Sequence, residues 1–114
     1  MRTLEFDDRQ QALVLIDQTR LPHETVVVAC HTPQDVAHAI TSMQVRGAPA
    51  IGVAGAAGVA LAAHEWDAQD TRMLIMHIAM RAEELRATRP TAVNLGWAID
   101  RMMRVARTAA PAGP

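Results

Sequence analysis

Two arginines each stand directly before a segment typical of a helix start. Arg46 is followed by Gly47, Ala48 and Pro49, in which glycine allows a tight turn and proline suits the first helical position. The unpaired N–H groups and positive dipole end of a helix start favour an anion, and a guanidinium adds a charged hydrogen bond. The segment is therefore predicted to bind a phosphate. The alternative is a tight turn beside a solvated Arg46.

Arg89 repeats this arrangement before the last helical pattern of the chain. It is followed by Pro90 and by Thr91, which is predicted to cap that helix. Arg46 and Arg89 together would be able to hold one phosphorylated ligand. The alternative is that Thr91 and Asn94 are only a helix cap and its partner.

The cysteine and the histidines do not form a recognisable catalytic or metal-binding pattern. Cys30 is the only cysteine, which excludes an internal disulfide and a thiol-based four-ligand zinc site. On a strand, Cys30 and His31 would lie on opposite faces, so a catalytic pair is disfavoured and Cys30 is expected to be a small buried hydrophobe. The 5 histidines show neither helical pairing nor a carboxylate at metal-site spacing. No metal and no cofactor are expected.

Composition narrows the classes of function. The 114 residues are 50% hydrophobic and 20% charged, as expected for one folded domain. The formal net charge is -1, which does not favour a nucleic-acid partner. All 11 basic residues are arginine, so Schiff-base and P-loop lysine chemistry are excluded.

The hydrophobic pattern predicts an α+β, mainly α, domain over residues 1–108. Two β-branched runs within residues 11–30, separated by a polar segment containing Pro22, predict a small antiparallel sheet. A bundle of about four helices is predicted to follow, at residues 33–44, 49–66, 70–88 and 91–107. Thr32 and Asp70 are predicted to be the N-caps of the first and third helices. Residues 109–114 show no periodicity and are predicted to be a tail or the start of a linker.

Apolar residues at three- and four-residue spacing mark the faces that the helices are expected to bury. They are Val36, Ala39, Ile40 and Met43 in the first helix; Leu74, Ile78, Ala82 and Leu85, widened by Met73, Met76 and Met80, in the third; and Leu95, Ala98, Ile99, Met102, Val105 and Ala106 in the fourth. The second helix instead carries Gly52, Gly55 and Gly58, each costing about 1 kcal/mol relative to alanine. Close approach of a neighbouring helix is expected to offset that cost.

The chain is expected to be cytoplasmic. Its N-terminus carries acidic residues where a signal peptide needs basic and apolar segments. The least polar stretch, Pro49 to Ala63, is shorter than the roughly 18 to 20 residues that span a bilayer, so no membrane association is expected.

Three blocks of sequence resemble, in order and spacing, the amino-terminal region of methylthioribose-1-phosphate isomerases. They are LIDQTRLPHE, VRGAPAIGVAGAAGVALAA and RPTAVNLGWAIDRM, and they cover well over half of the chain. The family shares its fold with the alpha, beta and delta subunits of translation initiation factor two B and with ribose-1,5-bisphosphate isomerase. The DQT-LPHE and RPTAVNL segments are more similar to the methylthioribose branch.

The resemblance implies which residues bind the substrate. The family holds its sugar phosphate partly through an Arg-Gly-Ala loop, here Arg46, Gly47 and Ala48, and through the arginine of RPTAVNL, here Arg89. It also implies a homodimer formed through a carboxy-terminal Rossmann-like domain that supplies the catalytic Cys and Asp. These 114 residues contain no counterpart of that domain, so alone they are expected to bind without catalysing.

A second hypothesis comes from another class of protein. The chain would be a non-catalytic regulatory or assembly module related to the translation-factor subunits, with an apolar surface that engages another domain or another copy.

Overall fold

The sheet is built from three strands at the start of the chain. A computed structural model describes residues 4–65 and 70–109. The strands are β1 (Leu4–Asp7), β2 (Ala12–Ile16) and β3 (Val27–Cys30), in the order β1-β2-β3 with both pairs antiparallel. The sequence predicts β2 and β3, but β1 lies before the predicted limit of residue 11. Its four residues include two acids, and pairing with β2, rather than its own pattern, defines it.

Four helices follow the sheet, which confirms the predicted fold class. They are α1 (Pro33–Thr41), α2 (Ala48–Glu65), α3 (Thr71–Thr88) and α4 (Val93–Ala109). Helix α1 ends three residues before the predicted limit, because Met43 adopts a left-handed conformation with φ of 64°. The N–H groups of Met43 and Gln44 then donate to the carbonyls of Ile40 and Ala39, as in a Schellman motif. Trp66 and residues 110–114 of the predicted tail lie outside the described residues.

The helix starts agree with two of the three predicted caps. The Thr32 hydroxyl accepts from the Asp35 N–H at 3.0 Å, and an Asp70 carboxylate oxygen accepts from the Arg72 N–H at 2.9 Å. The prediction for Thr91 is wrong, because α4 begins at Val93 and Ala92 occupies the residue before it. The Pro90–Ala92 segment is a turn in which the Ala92 N–H donates to the Arg89 carbonyl at 2.9 Å.

The two threonines therefore form a matched test of capping. Thr32→Ala is expected to lower the free energy of unfolding by about 1 kcal/mol, since the Asp35 N–H loses its acceptor. Thr91→Ala is expected to change it by less than about 0.5 kcal/mol, as at most exposed sites. Urea unfolding followed by circular dichroism measures both. Equal losses in the two variants would contradict these cap assignments.

The core lies between the sheet and the four helices and contains most of the predicted apolar residues. In α3 the buried residues are Ile78, Ala82 and Leu85, whereas the predicted widening by methionines is wrong. Met73, Met76 and Met80 are 48%, 62% and 50% exposed. Met76 and Met80 each lie two residues from Ile78, which is about 200° around a helix and hence on the opposite face.

The buried face of α4 also differs from the predicted one. Leu95 and Ile99 are buried as predicted, and Met102 is partly buried against the core, but the next buried residue is Met103, which was not predicted. Val105 is 54% exposed, which contradicts its predicted place in the stripe. The three buried residues are four apart, and Leu95 and Ile99 face Gly55 of α2.

Helix α2 is the central helix and contacts each of the other three. It is 18 residues long and, by length and composition alone, could cross a membrane. The apolar segment is therefore longer than the Pro49–Ala63 stretch considered in the sequence, and its length does not exclude a membrane span. Eight of its residues are buried within the domain, including Gly55 and Gly58, and this burial accounts for its apolar composition.

Glycines of α2 allow the close approach that the sequence predicts. A Cβ at Gly55 would lie 2.5 Å from Leu95 Cδ1, and one at Gly58 would lie 2.7 Å from Leu85 Cδ1. A Cβ at Gly52 would lie 3.3 Å from the Asn94 carbonyl oxygen at the start of α4. These contacts set the position of α4, and with it the position of the turn that carries Arg89.

Candidate functional site

Arg46 lies in the short connection between α1 and α2. Gly47 follows it with φ of +92°, a conformation that L side chains rarely adopt, and the chain then enters α2 at Ala48. The Ile51 N–H donates to the Gly47 carbonyl at 2.9 Å and closes the first helical turn. The N–H groups before Ile51 have no partner within the helix, so they are available to an acceptor outside it.

Arg89 lies in the corresponding connection between α3 and α4. Its carbonyl accepts from the Ala92 N–H, and the Gly96 N–H donates to the Ala92 carbonyl at 3.2 Å as the first turn of α4. The Arg89 residue is half-buried, whereas Arg46 is exposed. As in α2, the first N–H groups of α4 have no intrahelical acceptor.

The packing of α4 on α2 brings these two connections together. Gly52 faces Asn94 near the start of both helices, and Gly55 faces Leu95 and Ile99 further along. The two helices therefore run in the same direction, and their N-termini lie at the same end of the domain. Between them is a cleft of about 330 Å³. It is lined by Met43, Arg46, Gly47, Ala48, Ile51, Arg89, Ala92, Val93 and Asn94.

The cleft is electropositive. Its lining contains two arginines and no carboxylate among the residues the structure describes. Within residues 4–65 and 70–109, neither Arg46 nor Arg89 forms an ion pair, in contrast to Arg81 and Arg86. The carboxylates that pair with Arg81 and Arg86 raise the pKa of both guanidinium groups. The two cleft guanidiniums and two helix starts thus present charge and donors to a shared space.

The chemistry available in this cleft is that of anion binding. Its described lining offers guanidinium groups, backbone N–H groups and the Asn94 amide, together with apolar contacts from Met43 and Ile51. None of these groups is a nucleophile or a general base near neutral pH. All four residues predicted to bind substrate, Arg46, Gly47, Ala48 and Arg89, line it.

Spacing alone did not identify the cleft roles of Met43, Ile51 and Asn94. The apolar spacing predicts that Met43 lies on the buried face of α1, but Met43 is 45% exposed. For Asn94 the sequence pattern predicts only a partner of the helix cap. The missing information is tertiary, because these side chains share a cleft only through the packing of α4 on α2.

Sequence reasoning also does not identify a buried carboxylate, Asp17, which directly follows β2 and accepts from Gln44, two residues before Arg46. It is 5% exposed, and its Oδ1 accepts from the Thr19 hydroxyl at 2.6 Å and from the Thr19 N–H at 2.9 Å. These bonds, led by that from the hydroxyl, hold the pKa of the Asp17 carboxyl below its ordinary value although burial opposes them. The Asp-x-Thr spacing of a local turn is the sequence signal for it.

Cys30 lies outside the cleft, as the last residue of β3. It is buried, and burial together with the nearby Asp35 carboxylate raises the pKa of its thiol to about 11. The expectation of a small buried hydrophobe is confirmed.

This environment predicts an unreactive thiol. Alkylation of Cys30 by iodoacetamide at pH 8 is expected to be much slower in the native protein than in 8 M urea, because thiolate is scarce and access is closed. Mass spectrometry of quenched samples measures the modified fraction. Native alkylation as fast as that in urea would contradict the burial of Cys30.

The sequence matches known proteins over most of its length. Residues 44–112 match the Initiation factor 2 subunit family. The chain is 53% identical over 96 residues to a methylthioribose-1-phosphate isomerase of Nostoc punctiforme. The aligned region makes up 84% of this chain and 27% of that protein. These findings confirm the resemblance drawn from the three sequence blocks.

Two crystal structures have the same fold over nearly the whole chain. One is 5-methylthioribose 1-phosphate isomerase from Pyrococcus horikoshii OT3, with a TM-score of 0.89 and 37% identity. The other is translation initiation factor eIF-2B, subunit delta, from A. fulgidus, with a TM-score of 0.88 and 43% identity. The match to the isomerase covers 97% of this chain, and the match to subunit delta covers 96%. In each case the matched region is 31% of the longer chain. The chain therefore corresponds to less than a third of these relatives.

Proposed function

Because the chain belongs to the Initiation factor 2 subunit family, we propose that it is the amino-terminal, phosphate-binding domain of an S-methyl-5-thioribose-1-phosphate isomerase. Such an enzyme converts the aldose phosphate to methylthioribulose 1-phosphate in methionine salvage. The similarity to methylthioribose-1-phosphate isomerases over 84% of the chain supports the choice of substrate.

The observation that carries this proposal is the position of Arg46 and Arg89 in one cleft. The two residues are 43 positions apart in the sequence, yet both line the same 330 Å³ space. A phosphate monoester carries close to two negative charges near neutral pH and offers three terminal oxygens. The two guanidinium groups carry two positive charges, and together with the N–H groups of two helix starts they supply donors for the phosphoryl oxygens.

Each residue has a separate part in binding. Arg46 and Arg89 donate from opposite sides to the phosphoryl oxygens. The absence of a side chain at Gly47 allows the backbone to approach the ligand, and the Ala48 N–H at the start of α2 donates to it. Met43 and Ile51 supply apolar contacts for the remainder of the sugar.

The proposed part of the chain in the reaction is to bind. Isomerisation moves a hydrogen between C1 and C2 of the sugar and requires an acid–base group or a hydride path, which the described lining of the cleft does not offer. Homologues that are about three times longer supply further residues for that step. The proposed whole protein is a cytoplasmic homodimer that uses no cofactor.

Binding of phosphorylated and unphosphorylated ligands to this chain tests the proposal. Titration calorimetry is expected to detect methylthioribose 1-phosphate and, more weakly, inorganic phosphate, but not methylthioribose. In ¹⁵N-labelled protein, the amides of Gly47, Ala48 and Val93 are expected to shift on addition of inorganic phosphate. Equal binding of the phosphorylated and unphosphorylated sugars, or shifts confined to other regions, would refute it.

A second candidate is a regulatory or assembly module, as the 43% identity to the subunit delta structure allows. The observation in its favour is the exposure of large apolar side chains on α4, with Val93 at 62% and Trp97 at 70%. This candidate predicts association that increases with protein concentration. Size-exclusion chromatography with light scattering that shows only monomer at 0.5 mM would contradict it.

A further inference from the structure

Among the described residues, one long-range side-chain bond attaches the loop that carries Arg46 to the turn after β2. Gln44 Nε2 donates to Asp17 Oδ2 at 3.1 Å, and the two residues are 27 positions apart. The Gln18 N–H also donates to the Gln44 carbonyl at 3.0 Å. Asp17 itself is anchored to the sheet, because its N–H donates to the Val26 carbonyl at 2.8 Å.

Gln44 is thereby held on two sides. Its N–H donates to the Ala39 carbonyl at the end of α1 at 2.9 Å, while its side chain and carbonyl bond to the Asp17–Gln18 turn. Arg46 follows two residues later, and its own side chain makes no hydrogen bond within the described part of the chain. The main chain before Arg46 is therefore fixed by residues outside the cleft.

We propose that Asp17 is a positioning residue for the anion cleft, which through Gln44 fixes the main chain that presents Arg46 and the first turn of α2. This inference rests on the proposed function of the cleft. Asp17 is not among the residues that line the cleft, so its proposed effect on binding is indirect. By fixing the Arg46 loop before an anion binds, Asp17 lowers the conformational entropy that the loop loses on binding.

Asp7 forms a similar turn at the end of another strand, and comparison with it distinguishes the proposed positioning role of Asp17 from turn formation alone. Asp7, at the end of β1, accepts from the Arg9 N–H at 2.9 Å and from Gln10 Nε2 at 2.8 Å. Its turn is exposed and all its partners lie within three residues. A turn at a strand end thus needs neither a buried carboxylate nor a distant glutamine. Asp17 is buried and is bonded to the distant Gln44, and this bond connects the turn to the Arg46 loop.

The test uses a matched pair of glutamine substitutions in the 114-residue chain. Gln44→Leu removes the bond to Asp17 and keeps the approximate side-chain volume, while Gln10→Leu removes the equivalent local bond to Asp7. Two quantities are measured at a temperature at which circular dichroism shows each variant to be folded. They are amide hydrogen exchange at residues 45–48 in the free protein and the dissociation constant of inorganic phosphate.

Gln44→Leu is expected to accelerate exchange at residues 45–48 and to weaken phosphate binding about three- to tenfold. Gln10→Leu is expected to change neither quantity. Asp17→Ala is expected to reproduce Gln44→Leu. Asp17→Asn is expected to stay close to wild type, because the Gln44 amide can turn and accept from the asparagine nitrogen.

The two proposals fail in different ways. If Gln44→Leu matches Gln10→Leu in both exchange and affinity, the positioning role of Asp17 is refuted while the cleft stands. If wild-type protein binds no phosphate, the proposed function is refuted. In that case the amide exchange rates of residues 45–48 still test whether Asp17 fixes the loop. Rates in Gln44→Leu equal to those of wild type would refute the positioning role of Asp17.

Discussion

Arg46→Ala and Arg89→Ala are each expected to weaken the binding of methylthioribose 1-phosphate by about ten- to a hundredfold. This corresponds to about 1.5 to 3 kcal/mol, the range for hydrogen bonds to charged groups. Both guanidiniums line the same cleft and neither has an ion-pair partner among the described residues, so no carboxylate there competes with the ligand. Titration calorimetry at low ionic strength measures the change.

Arg101→Ala is the control for overall charge. Arg101 is exposed on α4 and lies outside the cleft, so its removal lowers the positive charge by the same amount without removing a proposed contact. It is expected to change the affinity less than about twofold, because separated surface charges are screened by salt. A loss in Arg101→Ala equal to that in Arg46→Ala would mean that net charge, and not the cleft, governs binding.

Gly55→Val is expected to reduce the free energy of unfolding by about 3 kcal/mol or more. A Cβ at Gly55 would lie 2.5 Å from Leu95 Cδ1, and Leu95 is fully buried, so it has little space to move aside. Accommodation requires α4 to move away from α2, which would also open the cleft. Urea denaturation measures the loss, and phosphate titration of the folded variant measures the effect on the cleft.

Gly96→Ala is the matched control in the partner helix. The nearest atom to a Cβ at Gly96 is the flexible Arg86 Nη1, at 3.5 Å, which is an ordinary contact. This substitution is expected to raise stability by about 0.5 to 1 kcal/mol, since alanine favours a helix interior over glycine. A Gly55 variant as stable as wild type would show that α2 and α4 are not in close contact at this position.

Much of the helical part of the fold can be predicted from local sequence. Thr32 and Asp70 accept from amides in the first turns of α1 and α3, and such bonds involve residues only two or three apart. The end of α1 could not be placed as well, because it depends on a left-handed methionine where a glycine or asparagine is usual. The exposed methionines of α3 show that side-chain type alone does not set which face is buried.

The site could be predicted only in part. Each arginine could be identified from its own helix start, and the family resemblance indicated both. The shared cleft depends on α2 and α4 running in the same direction at close range, which rests on contacts such as that between Gly52 and Asn94. The bond between Asp17 and Gln44 joins residues from separate elements, and no local pattern encodes it.

A crystal structure of this chain with inorganic phosphate bound tests the central claim most directly. The account predicts one phosphate in the cleft, with oxygen atoms within hydrogen-bond distance of both the Arg46 and the Arg89 guanidinium groups and of the Ala48 N–H. A phosphate that contacts only one of these arginines, with the other directed into solvent, would contradict it.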